Sequence, residues 1–222
     1  MNEKQIAAEK AVEFIEDGMI VGLGTGSTVT YLIKKLAQKV DEGLKIKAVS
    51  TSTATSKLAE SLGIHILDFD DVGEIDLTID GADEVNKNLN GIKGGGGALL
   101  FEKIVATSSR KNIWIVDSTK LVDNLGKFPL PVEVVPFGME QTVSKLKEAG
   151  YNPKLRMVDD KIFITDGNHY TIDLHLNKIT EPVKLEHELK KLPGIVETGL
   201  FINIADMIIV GRANSYEILR RE

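Results

Sequence analysis

The sequence has no cysteine in its 222 residues. Disulfides, thiolate nucleophiles and cysteine-ligated metals are therefore excluded, and a reducing cytoplasm is the expected setting. Histidine is also scarce. The four present, His65, His169, His175 and His187, are scattered and form no group at metal-ligand spacing, so neither a metal nor a cofactor is expected. Long apolar runs are missing. The longest uncharged stretch, Gly18 to Ile33, is rich in glycine and threonine and too short to cross a bilayer. The N-terminal pattern MNEKQIAAEKAVEFIEDG carries charges throughout and lacks the apolar centre of a secretion signal. There is no basic stripe either. The 27 Lys and Arg are mixed with 33 Asp and Glu, for a net charge of −6, so neither nucleic acid nor an anionic membrane is an expected partner. Small molecules and copies of the chain itself remain.

What is present is an alternation of strand and helix. Ile6, Ala7, Ala11, Phe14 and Ile15 keep helical spacing, with Gly18 placed to end the helix. MIVGLG then reads as a buried strand. Val29, Leu32, Ile33, Leu36 and Val40 mark a second helix, with Ser27 or Thr28 as its N-cap. KIKAVS, a helix from about Thr55 to Leu62, IHIL, DLTID, a helix over Ala98–Ala106 and NIWIVD continue the series. Such a series predicts an α/β fold with a Rossmann-like parallel sheet covered on both faces. At FPLPVEVVP the texture changes. Pro129, Pro131 and Pro136 around a strand-like run suggest an edge strand or a crossing between domains. The elements that follow (a strand, a helix closed by Gly150, KLRMV, KIFIT, YTIDL, a helix through Leu185 and Leu189, and GIVET) give a smaller α+β, ferredoxin-like lid of βαββαβ form with an extra strand. MIIVG and the helix-like ANSYEILRRE then return to the first style. The expected division is residues 1–128 plus 200–222 for the larger domain and 129–199 for the lid.

Three segments carry candidate chemistry. The turn after MIVGLG, TGST (Thr25, Gly26, Ser27, Thr28), opens a helix, where backbone N–H groups and hydroxyls favour an anion such as phosphate. It fits neither the dinucleotide fingerprint nor the P-loop, because Ser27 or Val29 stands where glycine is needed and no lysine follows. DGADE follows an apolar strand and places Asp80, Gly81, Ala82 and Asp83 at the C-terminal edge of the sheet, suited to sugar hydroxyls. KGGGGA joins Lys93 to Gly94, Gly95, Gly96 and Gly97 directly before a helix, which marks a ligand-approach loop rather than a linker. On that helix Glu102 lies among Leu99, Leu100, Phe101, Ile104 and Val105. A carboxylate there is a candidate general base, its pKa raised by desolvation and lowered by Lys93 and the helix N-terminus. Lys120, after NIWIVD, is a candidate phosphate clamp.

Taken together, GLGTGST, DGADEV, KGGGGALLFEKIVA, FPLPVEV, ITDGN and PGIVETGLF resemble the A-type ribose-5-phosphate isomerases nearly end to end. The resemblance implies an aldose-ketose isomerase that interconverts ribose 5-phosphate and ribulose 5-phosphate without metal or cofactor, in the non-oxidative pentose phosphate pathway. It implies that Thr25–Thr28 bind the phosphate region, Asp80–Asp83 the sugar, and Lys93–Gly96 line the site. Glu102 would be the proton-transfer base, Lys120 would contact substrate, and Lys4 would lie near the phosphate. Asp80 would assist ring opening, and Lys93 with the loop N–H groups would offset charge on a cis-enediolate. A homodimer or tetramer is implied as well. The competing readings are a sugar-phosphate-binding regulator, which would need a DNA-binding segment the chain does not show, and a CoA-transferase-like protein, whose glutamate would form a covalent acyl adduct. A nicotinamide dehydrogenase is disfavoured by the failed fingerprint.

Overall fold

A computed structural model describes residues 2–221. In chain order its elements begin with α1 (Glu3–Val12), β1 (Ile20–Leu23), α2 (Ser27–Asp41), β2 (Lys47–Ser50), α3 (Thr53–Ser61), β3 (Leu77–Asp80), β4 (Glu84–Val85), β5 (Gly91–Ile92), α4 (Leu99–Thr107) and β6 (Asn112–Asp117). The second half adds β7 (Leu130–Val134), α5 (Met139–Glu148), β8 (Pro153–Leu155), β9 (Met157–Val158), β10 (Lys161–Ile162), β11 (Tyr170–Leu174) and α6 (Pro182–Lys190). It closes with β12 (Ile195–Thr198), β13 (Leu200–Phe201), β14 (Met207–Arg212) and β15 (Ser215–Arg220).

The largest sheet has the order β15-β14-β6-β3-β1-β2, parallel throughout except for β15. The apolar runs of β1, β3, β6 and β14 are buried on both faces, as a parallel sheet sandwiched between helices requires. Ala7, Ala8 and Ala11 of α1 and Leu32, Ile33 and Leu36 of α2 belong to one core cluster, and Leu99 and Val105 of α4 pack in two others. Counted along the chain, the parallel strands lie in the order 2-1-3-4-5, so the winding reverses between β1 and β3. In sheets of this kind the crevice outside the strand ends at such a reversal receives ligands.

A four-stranded sheet, β12-β7-β11-β8, is antiparallel and carries α5 and α6, which is the strand order of a ferredoxin-like unit. Its core of Val132, Val134, Leu146, Ile172, Leu174 and Leu189 also takes in Ile92, Leu125 and Leu200, so the seam between the two sheets is apolar. A short sheet, β13-β5-β4, lies along this seam.

Several local expectations change. Helix α1 stops at Val12, and Phe14 and Ile15 reach the same core from the turn before Gly18, whose φ is 84°. α2 is capped by Gly26 with no side-chain bond, so neither Ser27 nor Thr28 is the N-cap. IHIL contributes only a bridge from Ile66 to Ala48. β7 is an interior strand rather than an edge. Pro131 is tolerated because the β12 ladder has ended at Thr198↔Val132, and its carbonyl still accepts from the Gly199 N–H at 2.7 Å. KLRMV splits at Arg156: Pro153–Leu155 joins the sheet, while Met157–Val158 pairs with Lys161–Ile162 as a separate hairpin. The segment ANSYEILRRE forms the edge strand β15, not a helix. Ile218 and Leu219 are adjacent yet pack into different clusters, a period of two that only a strand provides.

Candidate active site

The C-terminal ends of β1 and β3 meet at the reversal point, with Leu23 registered on Ile79. The TGST turn therefore lies against the start of DGAD. Gly24 has no room for a side chain, since a Cβ there would stand 1.8 Å from the Asp80 carboxylate. Asp80 is buried and fully engaged: Oδ1 accepts from the N–H groups of Thr25 at 3.0 Å and Gly81 at 2.7 Å, and Oδ2 meets Lys93 Nζ at 2.8 Å. It braces the two turns, and the cleft wall beside it is formed by Gly81, Ala82 and Asp83. Asp83 Oδ2 accepts from Gly95 N–H at 2.7 Å, and Oδ1 has no bond among the described residues. Glu84 is structural, holding the N–H groups of Gly126 at 2.7 Å and Phe128 at 2.6 Å.

Lys93 follows β5 and is only 2% exposed. Its ammonium donates to Gly81 O at 2.7 Å and contacts Asp80 at 2.8 Å and Glu102 Oε1 at 3.0 Å. Three acceptors use its three protons. Burial alone would lower its pKa, but Asp80 and Glu102 raise it above the ordinary lysine value. Glu102 projects from the first turn of α4 into the same cleft. Its Oε2 is buried and has no partner among the described residues, while Oε1 is held by Lys93. Burial pushes the Glu102 carboxyl up to about 8, Asp80 adds to this, and Lys93 offsets only part of it. Lys93 does not cancel the effect of burial, because one ammonium stands between two carboxylates.

The cleft, about 120 Å³, is lined by Lys4, Thr25–Thr28, Gly81–Asp83, Lys93–Gly96, Glu102 and Lys120. Every site residue expected from the sequence is in this wall except Asp80, which braces the turns beside it. The volume suits a molecule smaller than a typical drug or dinucleotide. Lys4 Nζ donates to Ser27 Oγ at 2.9 Å beside the start of α2, whose first-turn N–H groups lack a side-chain cap. Lys4, Lys120 and the open α2 N-terminus give the cleft wall groups that favour an anion, and Glu102 and Asp83 give it carboxylates. Among the described residues there is no group of three or more His, Cys, Asp or Glu placed to hold a metal, and no helix is long and apolar enough to cross a membrane.

The glycine run has separate reasons at each position. A Cβ on Gly94, which has φ 98°, would stand 2.7 Å from Leu99; on Gly95, 2.5 Å from the Asp83 carboxylate; and on Gly97, with φ 83°, 2.2 Å from the Phe163 ring. On Gly96 it would meet only Thr25 Cγ2, at an ordinary 3.7 Å. Packing therefore demands the other three, and no contact among the described residues demands Gly96. Gly96→Ala is expected to leave unfolding free energy within about 0.5 kcal/mol of the parent while weakening ligand binding. Gly95→Ala should lose about 1–3 kcal/mol. Denaturant unfolding of both variants checks this.

The sequence reading passed over a group of hydroxyls beneath TGST. Thr25 Oγ1 lies 2.7 Å from Thr51 Oγ1 and 2.8 Å from Ser52 Oγ, and Thr55 Oγ1 donates to Gly24 O at 2.8 Å. The signal was available, since residues 50–56 read STSTATS at the end of β2, beside β1. The family model for ribose 5-phosphate isomerase A (phosphoriboisomerase A) matches residues 47–215. The chain belongs to this family. It is 55% identical to the Enterococcus faecalis protein named ribose-5-phosphate isomerase A, over 95% of this chain and 94% of that one. A solved ribose 5-phosphate isomerase A from Methanocaldococcus jannaschii superposes with a TM-score of 0.93 at 37% identity, covering 99% and 98% of the two chains. A solved D-ribose-5-phosphate isomerase in complex with phospho-erythronic acid gives 0.95 at 42% identity, with both chains fully covered. These likenesses extend to the whole architecture, including the Rossmann-like sheet and the smaller α+β unit.

Proposed function

We propose that the cleft converts ribose 5-phosphate to ribulose 5-phosphate and back, with Glu102 carrying one proton between C2 and C1. The observation that carries this is the divided carboxylate of Glu102, a residue of the cleft wall, with one oxygen beside Lys93 and the other buried with no partner among the described residues. Lys4, Ser27, Thr28, the α2 N-terminus and Lys120 hold the phosphate at the far end of a five-carbon chain, which places C1 and C2 beside Glu102. Asp83 takes the hydroxyl chemistry of ring opening in place of Asp80, because its Oδ1 is free in the cleft. Glu102 Oε2 removes the C2 proton from the open aldose and leaves a cis-enediolate. The O2 hydroxyl proton passes to O1, and Glu102 returns its proton to C1. Lys93 offsets charge through space, and the Gly96 N–H supplies a direct donor to the enediolate oxygens.

The division into residues 1–128 with 200–222 and a smaller unit over 129–199 is part of the same proposal, supported by the separate antiparallel sheet and its core. Assembly as a homodimer or tetramer is supported by solvent-facing apolar side chains, Phe137, Ile164 and Val183 among them. A cytoplasmic location fits the absence of cysteine.

The test is an assay of ketose formation from ribose 5-phosphate across pH, with ribose as the unphosphorylated control. A base must be ionised to work, so kcat/KM should rise with pH, with its midpoint displaced from 4.5 toward about 8. A midpoint near 4.5 would remove Glu102 from the role, and no turnover would remove the activity. The same displacement has a stability consequence. Between pH 4.5 and about 8 the folded carboxyl holds a proton that the unfolded one has lost. The stability it contributes is complete below that interval and declines as pH rises through it.

A further inference from the structure

We infer that Arg156, which lies in the smaller unit and does not line the cleft, is a positioning residue for the enediolate-binding N–H of Gly96. The inference rests on the isomerase reading above and extends it to a residue across the seam. Arg156 falls at the break between β8 and β9, where the chain leaves one sheet to start the hairpin. Its Nη1 donates to Gly94 O at 2.8 Å and to Gly95 O at 3.2 Å. Nε donates to Asp173 Oδ2 at 2.9 Å, and Nη2 pairs with Asp173 Oδ1, so the guanidinium is fixed in plane by a carboxylate on β11. Its carbon lies 5.8 Å from the centre of the Phe163 ring, and the edge of that ring rests against Gly97. Arginine and phenylalanine of one unit thus grip three of the four glycines of the other.

The consequence follows from peptide geometry. In a trans peptide the C=O and the next N–H point in opposite directions. With Gly94 O and Gly95 O drawn toward Arg156, the N–H groups of Gly95 and Gly96 are turned away from it. The Gly95 N–H goes to Asp83 at 2.7 Å, and the Gly96 N–H has no acceptor among the described residues. Gly96 itself lines the cleft. The Gly97 N–H closes a turn onto Gly94 O at 2.9 Å, and the guanidinium adds the bond to Gly95 O that orients the Gly95–Gly96 peptide, which a glycine run would otherwise leave free to rotate. Its positive charge on the Gly95 carbonyl also polarises that peptide and makes the Gly96 N–H a stronger donor. Lys93, with its three protons already taken, does not replace it.

The decisive comparison is between substrate and an enediolate mimic. Phosphoerythronate has a planar carboxylate where the enediolate oxygens develop, so it reads the Gly96 donor more directly than ribose 5-phosphate does. In Arg156→Ala, kcat should fall by about 10- to 100-fold while KM for ribose 5-phosphate stays within about 3-fold. Affinity for phosphoerythronate should fall in step with kcat/KM. Guanidinium added at sub-denaturing concentration should restore part of the lost rate in Arg156→Ala and none in Glu102→Gln. Asp173→Asn and Arg156→Lys, which are smaller changes in volume, should show the same pattern more weakly, and they carry the test if Arg156→Ala does not fold. A kcat within about 2-fold of the parent in all three would overturn the inference, as would equal losses of substrate and phosphoerythronate affinity, which mark general loosening. Glu102→Gln separates this from the isomerase reading. If it loses kcat while the Arg156 variants keep theirs, only the inference about Arg156 fails. If it keeps kcat, the base assignment fails whatever Arg156 does.

Discussion

Replacing Glu102 by glutamine is expected to lower kcat for ribose 5-phosphate by about 10²- to 10⁴-fold while leaving KM within a few-fold. Glutamine keeps the size of the side chain and an oxygen for Lys93, so the cleft retains its shape and the phosphate pocket is untouched. What disappears is the basic oxygen. The loss belongs to the transition state because Oε2 has no structural partner whose removal would disturb the resting protein. The parent enzyme in heavy water should exchange the C2 hydrogen of ribose 5-phosphate for deuterium, since a carboxylate can trade its proton before returning it. Glu102→Gln should not exchange it. Near-normal turnover by this variant would shift the base to Asp83, the other carboxylate in the cleft wall.

The second large effect concerns Lys93. Lys93→Met keeps length and apolar volume but leaves Asp80 and Glu102 buried with no counter-ion. Breaking such an arrangement from one side costs about 3–5 kcal/mol. Chemical denaturation at neutral pH should show a loss of that size, with kcat reduced at least as far as in Glu102→Gln, because Glu102 would then be held protonated. Acid should help the variant. With the ammonium gone, protonating a carboxyl removes the repulsion, so the stability gap from the parent should narrow as pH falls. A variant as stable as the parent at neutral pH would show that the ion cluster does not hold the two turns together.

Most of the cleft could be read in the sequence because its parts are backbone features that side-chain identity betrays. A four-glycine run directly before a helix, an acidic turn after a buried strand, and small hydroxyl residues at a helix start are each costly unless a ligand approaches. Their order along the chain matches the order of strands that converge at one sheet edge. The different settings of Asp80 and Asp83 were not legible, for a physical reason. Composition shows that two aspartates share a turn, but only the close approach of β1 to β3 decides which one faces inward. Arg156 escaped notice because its partners are the carbonyls of glycines some sixty residues away, and nothing local marks an arginine that bonds to backbone. β15 was misread because its polar residues fit a helix as well as an edge strand, and the choice was made by β14 beside it. The interior position of β7 was hidden by Pro131, whose missing N–H is harmless once the neighbouring ladder has ended.

The backbone of Lys93 forms part of the seam between the two sheets. Its N–H donates to Gly199 O at 2.9 Å, where the chain passes from β12 to β13, and β13 in turn pairs with β5 immediately before Lys93. The return crossing of the smaller unit is thus stitched to the residue whose ammonium contacts Glu102. A swing of that unit about the crossing would drag the lysine with it and pull apart the ion cluster. Any displacement of that unit about the crossing would therefore act on Lys93 and, through its ammonium, on the Glu102 carboxylate.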